Sequence, residues 1–109
     1  MQHYEVLLTS DAEGDLEELF DYIAENDSST AARRVLDRIE KSITSLRSFP
    51  ERGSFPRELL ALGIRDYRQI FFKPYRLIYR TVESRVYIYL IVDGRRDMQT
   101  LLSRRLLGA

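Results

Sequence analysis

Arginine is the side chain that offers chemistry in this sequence. Arg65, Arg68, Arg76, Arg80, Arg95 and Arg96 fall on or beside a series of strand-like segments. A guanidinium grips a phosphate or carboxylate through two parallel N–H groups, and it stabilises a developing phosphorane by charge alone. An RNase built on such a cluster still needs a group that activates the 2′-hydroxyl. The same arginines have a blander use, in which they keep an open sheet face soluble or pair with an acidic partner. Spacing alone leaves both uses open.

The other routes to catalysis are thinly supplied. His3 is the one histidine and sits beside the chain start, where a solvated terminal residue is expected. There is no cysteine, which removes disulfides, thiolate catalysis and thiolate metal ligands, and which fits a cytoplasmic protein. One histidine without cysteine makes a zinc site improbable. A Ser/His/Asp arrangement has no base in the interior of the chain, and no glycine-rich phosphate loop is present. No metal and no cofactor are expected.

The length, 109 residues, fits one domain spanning 1–109 with one core. Formal net charge is zero, yet the charge is unevenly spread. Residues 1–32 hold nine acidic residues and no lysine or arginine; all 17 basic residues follow, among eight acidic ones. Such asymmetry suits a basic surface that meets an acidic partner or nucleic acid, and equally a solvated helix face opposite a solvated sheet face. No apolar run reaches the roughly 20 residues that span a bilayer, so no membrane partner is expected. The N-terminus has no basic segment followed by an apolar one, so no signal peptide is expected.

The elements that must position the arginines read as follows. Tyr4 to Leu8 is short, β-branched and aromatic, as in a strand. Ser10 and Glu13 form an S-x-x-E capping box, which places a helix start at Ser10. Ala12, Leu16, Leu19, Phe20 and Ile23 follow at helical spacing, with Glu17, Glu18, Asp21 and Glu25 on an outer face. Asn26 to Ser29 break this helix and cap a second, whose stripe is Ala32, Val35, Leu36, Ile39, Ile43 and Leu46. The short link makes the pair an antiparallel hairpin. Pro50 ends the second helix, and 49–63 reads as a loop with one helical turn at 57–61.

Three strands are then expected, at about 67–72, 75–82 and 85–92, joined at Lys73-Pro74 and Glu83-Ser84. Two-residue loops fix the register and so the faces. Tyr75, Leu77, Tyr79, Thr81, Val86, Ile88, Leu90 and Val92, joined by Ile70 and Phe72, form an apolar face for the helices. Gln69, Phe71, Arg76, Ile78, Arg80, Arg85, Tyr87, Tyr89 and Ile91 form the other, an open arginine–tyrosine surface suited to binding. Asp97 caps a last helix to about Leu106, with Arg95, Arg96, Arg104 and Arg105 around it. The fold class is α+β in the order β–α–α–β–β–β–α: an N-terminal strand, a helical hairpin packed on an antiparallel sheet, and a C-terminal helix.

Several motifs in this order resemble one family. Ala12, Asp15, Leu16, Tyr22, Ile23 and Ala24 resemble the first helix of ParE-like toxins. The connector L-x-x-x-P-x-x-G (Leu46, Pro50, Gly53) is similar, as is Gly63-Ile64-Arg65 at the entry to the sheet. Tyr75-Arg76-Leu77-Ile78-Tyr79-Arg80 resembles the Y-R-h-h-Y-R strand of the RelE/ParE superfamily. The segment 92–97 (VDGRRD) and the closing L-L-x-x-R-L resemble its ending. The resemblance implies a toxin neutralised by a cognate antitoxin, whose acidic-amphipathic C-terminal segment wraps the basic half in a hetero-oligomer.

Within the superfamily, RelE toxins cut mRNA on the ribosome with arginines, lysines and a C-terminal tyrosine. Arg76 and Arg96 fall where two of those arginines fall, and Arg65 or Arg68 would assist. Tyr67 and Gln69 stand near the places of the lysine pair, and Leu102 about where the tyrosine should be. ParE toxins lack that set and poison DNA gyrase by holding its cleaved DNA complex. The resemblance therefore implies a gyrase-binding toxin without chemistry of its own. Its contacts to gyrase or antitoxin would come from Arg65, Arg76, Arg80, Tyr87, Tyr89, Arg95, Arg96, Arg104 and Arg105. The alternative it leaves is a ribosome-dependent endoribonuclease using Arg76, Arg96 and Arg65.

Overall fold

In the computed structural model, which describes residues 3–108, strand β1 (Glu5–Leu8) leads into helix α1 (Ser10–Asn26) and helix α2 (Ser29–Leu46). A single turn, α3 (Arg57–Leu60), precedes strands β2 (Arg68–Phe72), β3 (Tyr75–Val82) and β4 (Arg85–Asp93), and α4 (Met98–Leu106) closes the chain. The expected order of elements is observed. The sheet runs β1-β4-β3-β2, with β1 parallel to β4 and the other pairs antiparallel. It is thus mixed rather than wholly antiparallel, because the helical hairpin carries the chain back before the meander begins.

The start of α1 differs from the capping-box reading by one residue. Thr9 is the cap: its hydroxyl accepts from Ala12 N at 3.2 Å, and Ser10 is already helical. The sheet decides this. Thr9 N donates to Ile88 O at 3.0 Å, which holds Thr9 extended as the last residue bonded to the sheet. Ser28 caps α2 through Ala31 N, and Asp97 caps α4 through Thr100 N, as the side-chain types predict.

Both meander loops have two residues, since Phe72 pairs with Tyr75 and Val82 with Arg85. The faces nevertheless differ from the expected ones. Ile78 pairs with Leu90 while Tyr79 pairs with Ile88, so Tyr89 is an extra residue in β4. A bulge of this kind exchanges the faces beyond it. Ile91 therefore joins Leu77 and Tyr79 under the helical hairpin, in a core with Ala12, Ile39, Leu46, Ile70, Val86 and Ile88. Leu90 and Val92 turn to the opposite side. There they meet Leu59 of α3, Tyr67, Ile78, and Met98 and Leu102 of α4 in a second core. The expected open arginine–tyrosine face is instead covered over its middle by α3 and α4. Of its residues, Arg80, Tyr87 and Arg85 remain at the rim, and Phe71 is 55% exposed.

Tyr79 ties the connector to the first core. Its ring is fully buried, and its hydroxyl donates to Pro50 O at 2.7 Å and accepts from Gly53 N at 3.0 Å. A Cβ on Gly53 would lie 2.5 Å from Gln69 O and 2.6 Å from the Tyr79 hydroxyl, so only glycine fits. The L-x-x-x-P-x-x-G spacing thus encodes how the loop docks on β2 and β3.

Candidate interaction surface

The arginines separate into two groups by the company they keep. Arg76 on β3 is buried, 8% exposed. Its Nη1 and Nη2 each donate to the Glu58 carboxylate at 2.8 Å, and its Nε donates to Gln69 Oε1 at 2.8 Å. The hydrogen bond from Arg76 holds the Glu58 carboxyl below its usual pKa, against a smaller opposing push from burial. Gly94 packs on the arginine stem; a Cβ there would lie 2.7 Å from Arg76 Cδ. The edge that would grip a phosphate is closed by a carboxylate from α3.

Arg105 is held as firmly. Its two Nη atoms donate to the Asp15 carboxylate at 3.0 and 2.8 Å, and Nη2 also donates to Tyr89 O at 3.0 Å. Asp15 in turn accepts from Ile91 N at 3.1 Å. The reason lies in the strand lengths: β1 pairs with β4 only from Arg85 to Ile88. Past Leu8 the chain turns into α1, and the outer edge of β4 continues without a neighbour. The Asp15–Arg105 pair supplies the acceptor and the donor that a neighbouring strand would have given. Asp15 is thereby an inward member of a helix whose other acids face water, and Arg105 does structural work rather than presenting a free charge.

Where β4 lacks its neighbour, a groove of about 520 Å³ opens between it and α1. Leu19 and Tyr22 of α1, Tyr75 of β3, and Ile91 and Val92 of β4 give it apolar walls, and Arg95 and Arg96 stand on its rim with Glu18 and Asp93. Tyr22 is 66% exposed, an unusual exposure for an aromatic on a helix beside a core. Burial raises the Tyr75 hydroxyl above its ordinary pKa, so it stays neutral and can donate. Arg95 clasps Asp93 through Nε and Nη2, which holds the Asp93 carboxyl low and fixes the turn. Arg96 is exposed, and its side chain has no ion pair among the described residues.

The remaining predicted residues lie elsewhere. Arg65 lines a cleft of about 310 Å³ at the other end of β3, with Arg68, Arg80 and Phe55. Tyr89 is half-buried, edge-on to Tyr67 with ring centroids 5.5 Å apart. Tyr87 pairs across the sheet with Arg80 at the rim, and Arg104 is exposed on α4. The three arginines of the nuclease alternative thus occupy three settings: Arg76 in a closed ion pair, Arg96 on the groove rim and Arg65 in the distant cleft. Leu102, in the place where a stacking tyrosine would be expected, is buried in the second core. Among the described residues no group of three His, Cys, Asp or Glu side chains could hold a metal ion, and no helix is long and apolar enough to cross a membrane.

Sequence reasoning did not find the groove or its aromatic walls. Leu19 and Tyr75 read as core positions and Ile91 as part of the open arginine–tyrosine face, and the bulge and the shortness of β1 that open the groove leave no motif. The exposed tyrosine at position 22, inside an otherwise acidic outer face, was the available signal.

Comparison with known proteins agrees with this architecture. Residues 6–98 match the family model described as the ParE toxin of the type II toxin–antitoxin system parDE. Toxin ParE3 of Caulobacter vibrioides is 32% identical over 100 residues, which cover 92% of this chain and 96% of that protein. Among solved structures, the chromosomal ParDE system of P. aeruginosa superposes with a TM-score of 0.68 at 15% identity, over 84% of this chain and 96% of that one. The RelBE2 toxin–antitoxin complex of Mycobacterium tuberculosis superposes with a TM-score of 0.58 at 23% identity, over 84% and 98% of the two chains. The chain belongs to the ParE toxin family of type II toxin–antitoxin systems.

Proposed function

We propose that this toxin acts in the cytoplasm by binding DNA gyrase and so blocking replication, without cleaving a bond itself, and that a cognate antitoxin neutralises it. The observation that carries this reading is the closed Arg76–Glu58 pair. A phosphodiester cleaved by charge stabilisation needs a guanidinium whose N–H groups reach the developing oxyanion. Arg76 already spends its fork on a carboxylate and its Nε on Gln69. The carboxylate beside it, Glu58, is engaged in that pair, and Leu102 is buried where a stacking tyrosine would be expected, which weighs against the RelE-type alternative.

The groove beside α1 supplies the protein-binding half of the reading. Its apolar walls with arginines on the rim suit the acidic-amphipathic antitoxin segment. On that reading Tyr22 and Tyr75 receive apolar side chains, and Arg95 and Arg96 meet carboxylates. Pulse labelling after induction without antitoxin tests the target. Thymidine incorporation is expected to stop before methionine incorporation. An early stop in methionine incorporation, with DNA synthesis continuing, would move the target to the ribosome.

A further inference from the structure

The cleft at the far end of β3 holds three arginines whose N–H groups the fold occupies only in part. Arg65 and Arg68 both lie over the Phe55 ring, with their guanidinium carbons 5.7 and 4.5 Å from its centroid. Arg68 is fixed further, since its Nη1 donates to the carbonyls of Glu51 at 3.3 Å and Gly53 at 2.8 Å. Those bonds leave its Nε and Nη2 undirected. Arg80 reaches Asp66 at 3.4 Å, but both side chains are well exposed, and such a pair exchanges readily for another anion. Arg65 is exposed and has no ion pair among the described residues.

Stacking on an aromatic ring holds a guanidinium plane still while leaving its N–H edge free, which lowers the entropy lost when that edge binds an oxyanion. The cleft offers little apolar surface, because Pro50 and Tyr79 in its wall are buried and Phe55 is half-buried and already stacked by the arginines; the acidic residues Glu51 and Asp66 also line it. An amphipathic peptide needs an apolar seat, and the groove at the other end of β3 provides one. What suits the cleft is an anion presented without an apolar flank. We infer that the Arg65–Arg68–Arg80 cleft holds a phosphate of a DNA backbone; the choice of DNA over RNA rests on the gyrase reading. The toxin then touches the DNA that its protein target handles, at the opposite end of the sheet from the antitoxin groove.

Fluorescence anisotropy of a short labelled DNA duplex, with purified toxin and no gyrase, tests this. Wild type is expected to bind at about 50 mM salt and to weaken steeply toward about 200 mM, as counterion release requires. Arg65→Glu should lower the affinity by about tenfold and reduce the salt slope by about 1. Arg34→Glu carries the same charge change on an exposed position of α2. It should lower affinity by less than about threefold, and circular dichroism should show both variants folded. No duplex binding at low salt, an equal loss in the two variants, or tighter binding of the same sequence as RNA would overturn the inference. Because gyrase is absent, failure of the gyrase reading in the labelling experiment would leave this measurement standing, and the converse holds.

Discussion

The two ends of β3 and β4 are built from the same materials and do different things. At the Asp93 end, apolar walls and two rim arginines make a groove of about 520 Å³ beside α1. At the Arg80 end, arginines stacked on Phe55 make a smaller and more polar cleft. Between them lie Arg76 and Arg105, each closed by a carboxylate from a distant part of the chain. Arg76 and Arg105 bind the fold because a helix brings each of them an acid, whereas Arg65 and Arg96, with no ion pair among the described residues, face the outside. The charge count of a sequence cannot tell these cases apart.

Removing the closed arginines should do the most damage. Arg105→Ala leaves Asp15 charged, largely buried and without its partner, and uncovers Tyr89 O. A loss of about 3 kcal/mol is expected in urea denaturation, a large share of the stability of a domain this size. A loss under about 0.5 kcal/mol would put Arg105 among the surface residues instead. Arg76→Ala should cost about 2 kcal/mol, less because Glu58 is more exposed and rehydrates on release. Toxicity should fall in both variants only in proportion to the folded protein that remains. A folded Arg76→Ala protein without toxicity would instead favour the nuclease reading.

A comparison in acid sharpens the same point. The folded pKa of Glu58 is depressed below its ordinary 4.5, chiefly by the Arg76 hydrogen bond. A depressed carboxyl contributes stability that is fully present above the unfolded value. That stability is lost as pH falls below about 4.5 and through the folded pKa. Glu58→Gln removes this titration, so the acid limb of its stability curve should be flatter than that of wild type. Parallel limbs from neutral pH down to about pH 3 would show that the ion pair does not form in solution.

The smallest effect on stability is expected at Arg96. It is exposed and has no ion pair among the described residues, so Arg96→Ala should change stability by less than about 0.5 kcal/mol. The same substitution should weaken antitoxin binding in calorimetry, which the folding-type arginines cannot do without losing the fold. Unchanged antitoxin affinity in both Arg96→Ala and Tyr22→Ala would remove the groove from the interface.

Much of this fold is legible in the residue order because local chemistry decides it. Ser28 and Asp97 cap helices where their types predict, and the two-residue turns at Lys73-Pro74 and Glu83-Ser84 set the meander. What stayed hidden depends on partners far along the chain. Thr9 rather than Ser10 caps α1 because Ile88, across the sheet, holds Thr9 extended. The bulge at Tyr89 leaves no compositional mark, since Leu90, Ile91 and Val92 are apolar whichever way they face. Asp15 and Arg105 are 90 residues apart, and nothing local says that they meet. The arginine inventory was therefore readable, while its division into fold and surface was not. That division is what the nuclease alternative turns on.

Purified gyrase acting on relaxed plasmid, with and without this protein, tests the central claim most directly. The account predicts loss of supercoiling and accumulation of linear, cleaved DNA, retained by folded Glu58→Gln toxin. Full supercoiling at a large molar excess of folded toxin, together with mRNA cut on isolated ribosomes, would contradict it.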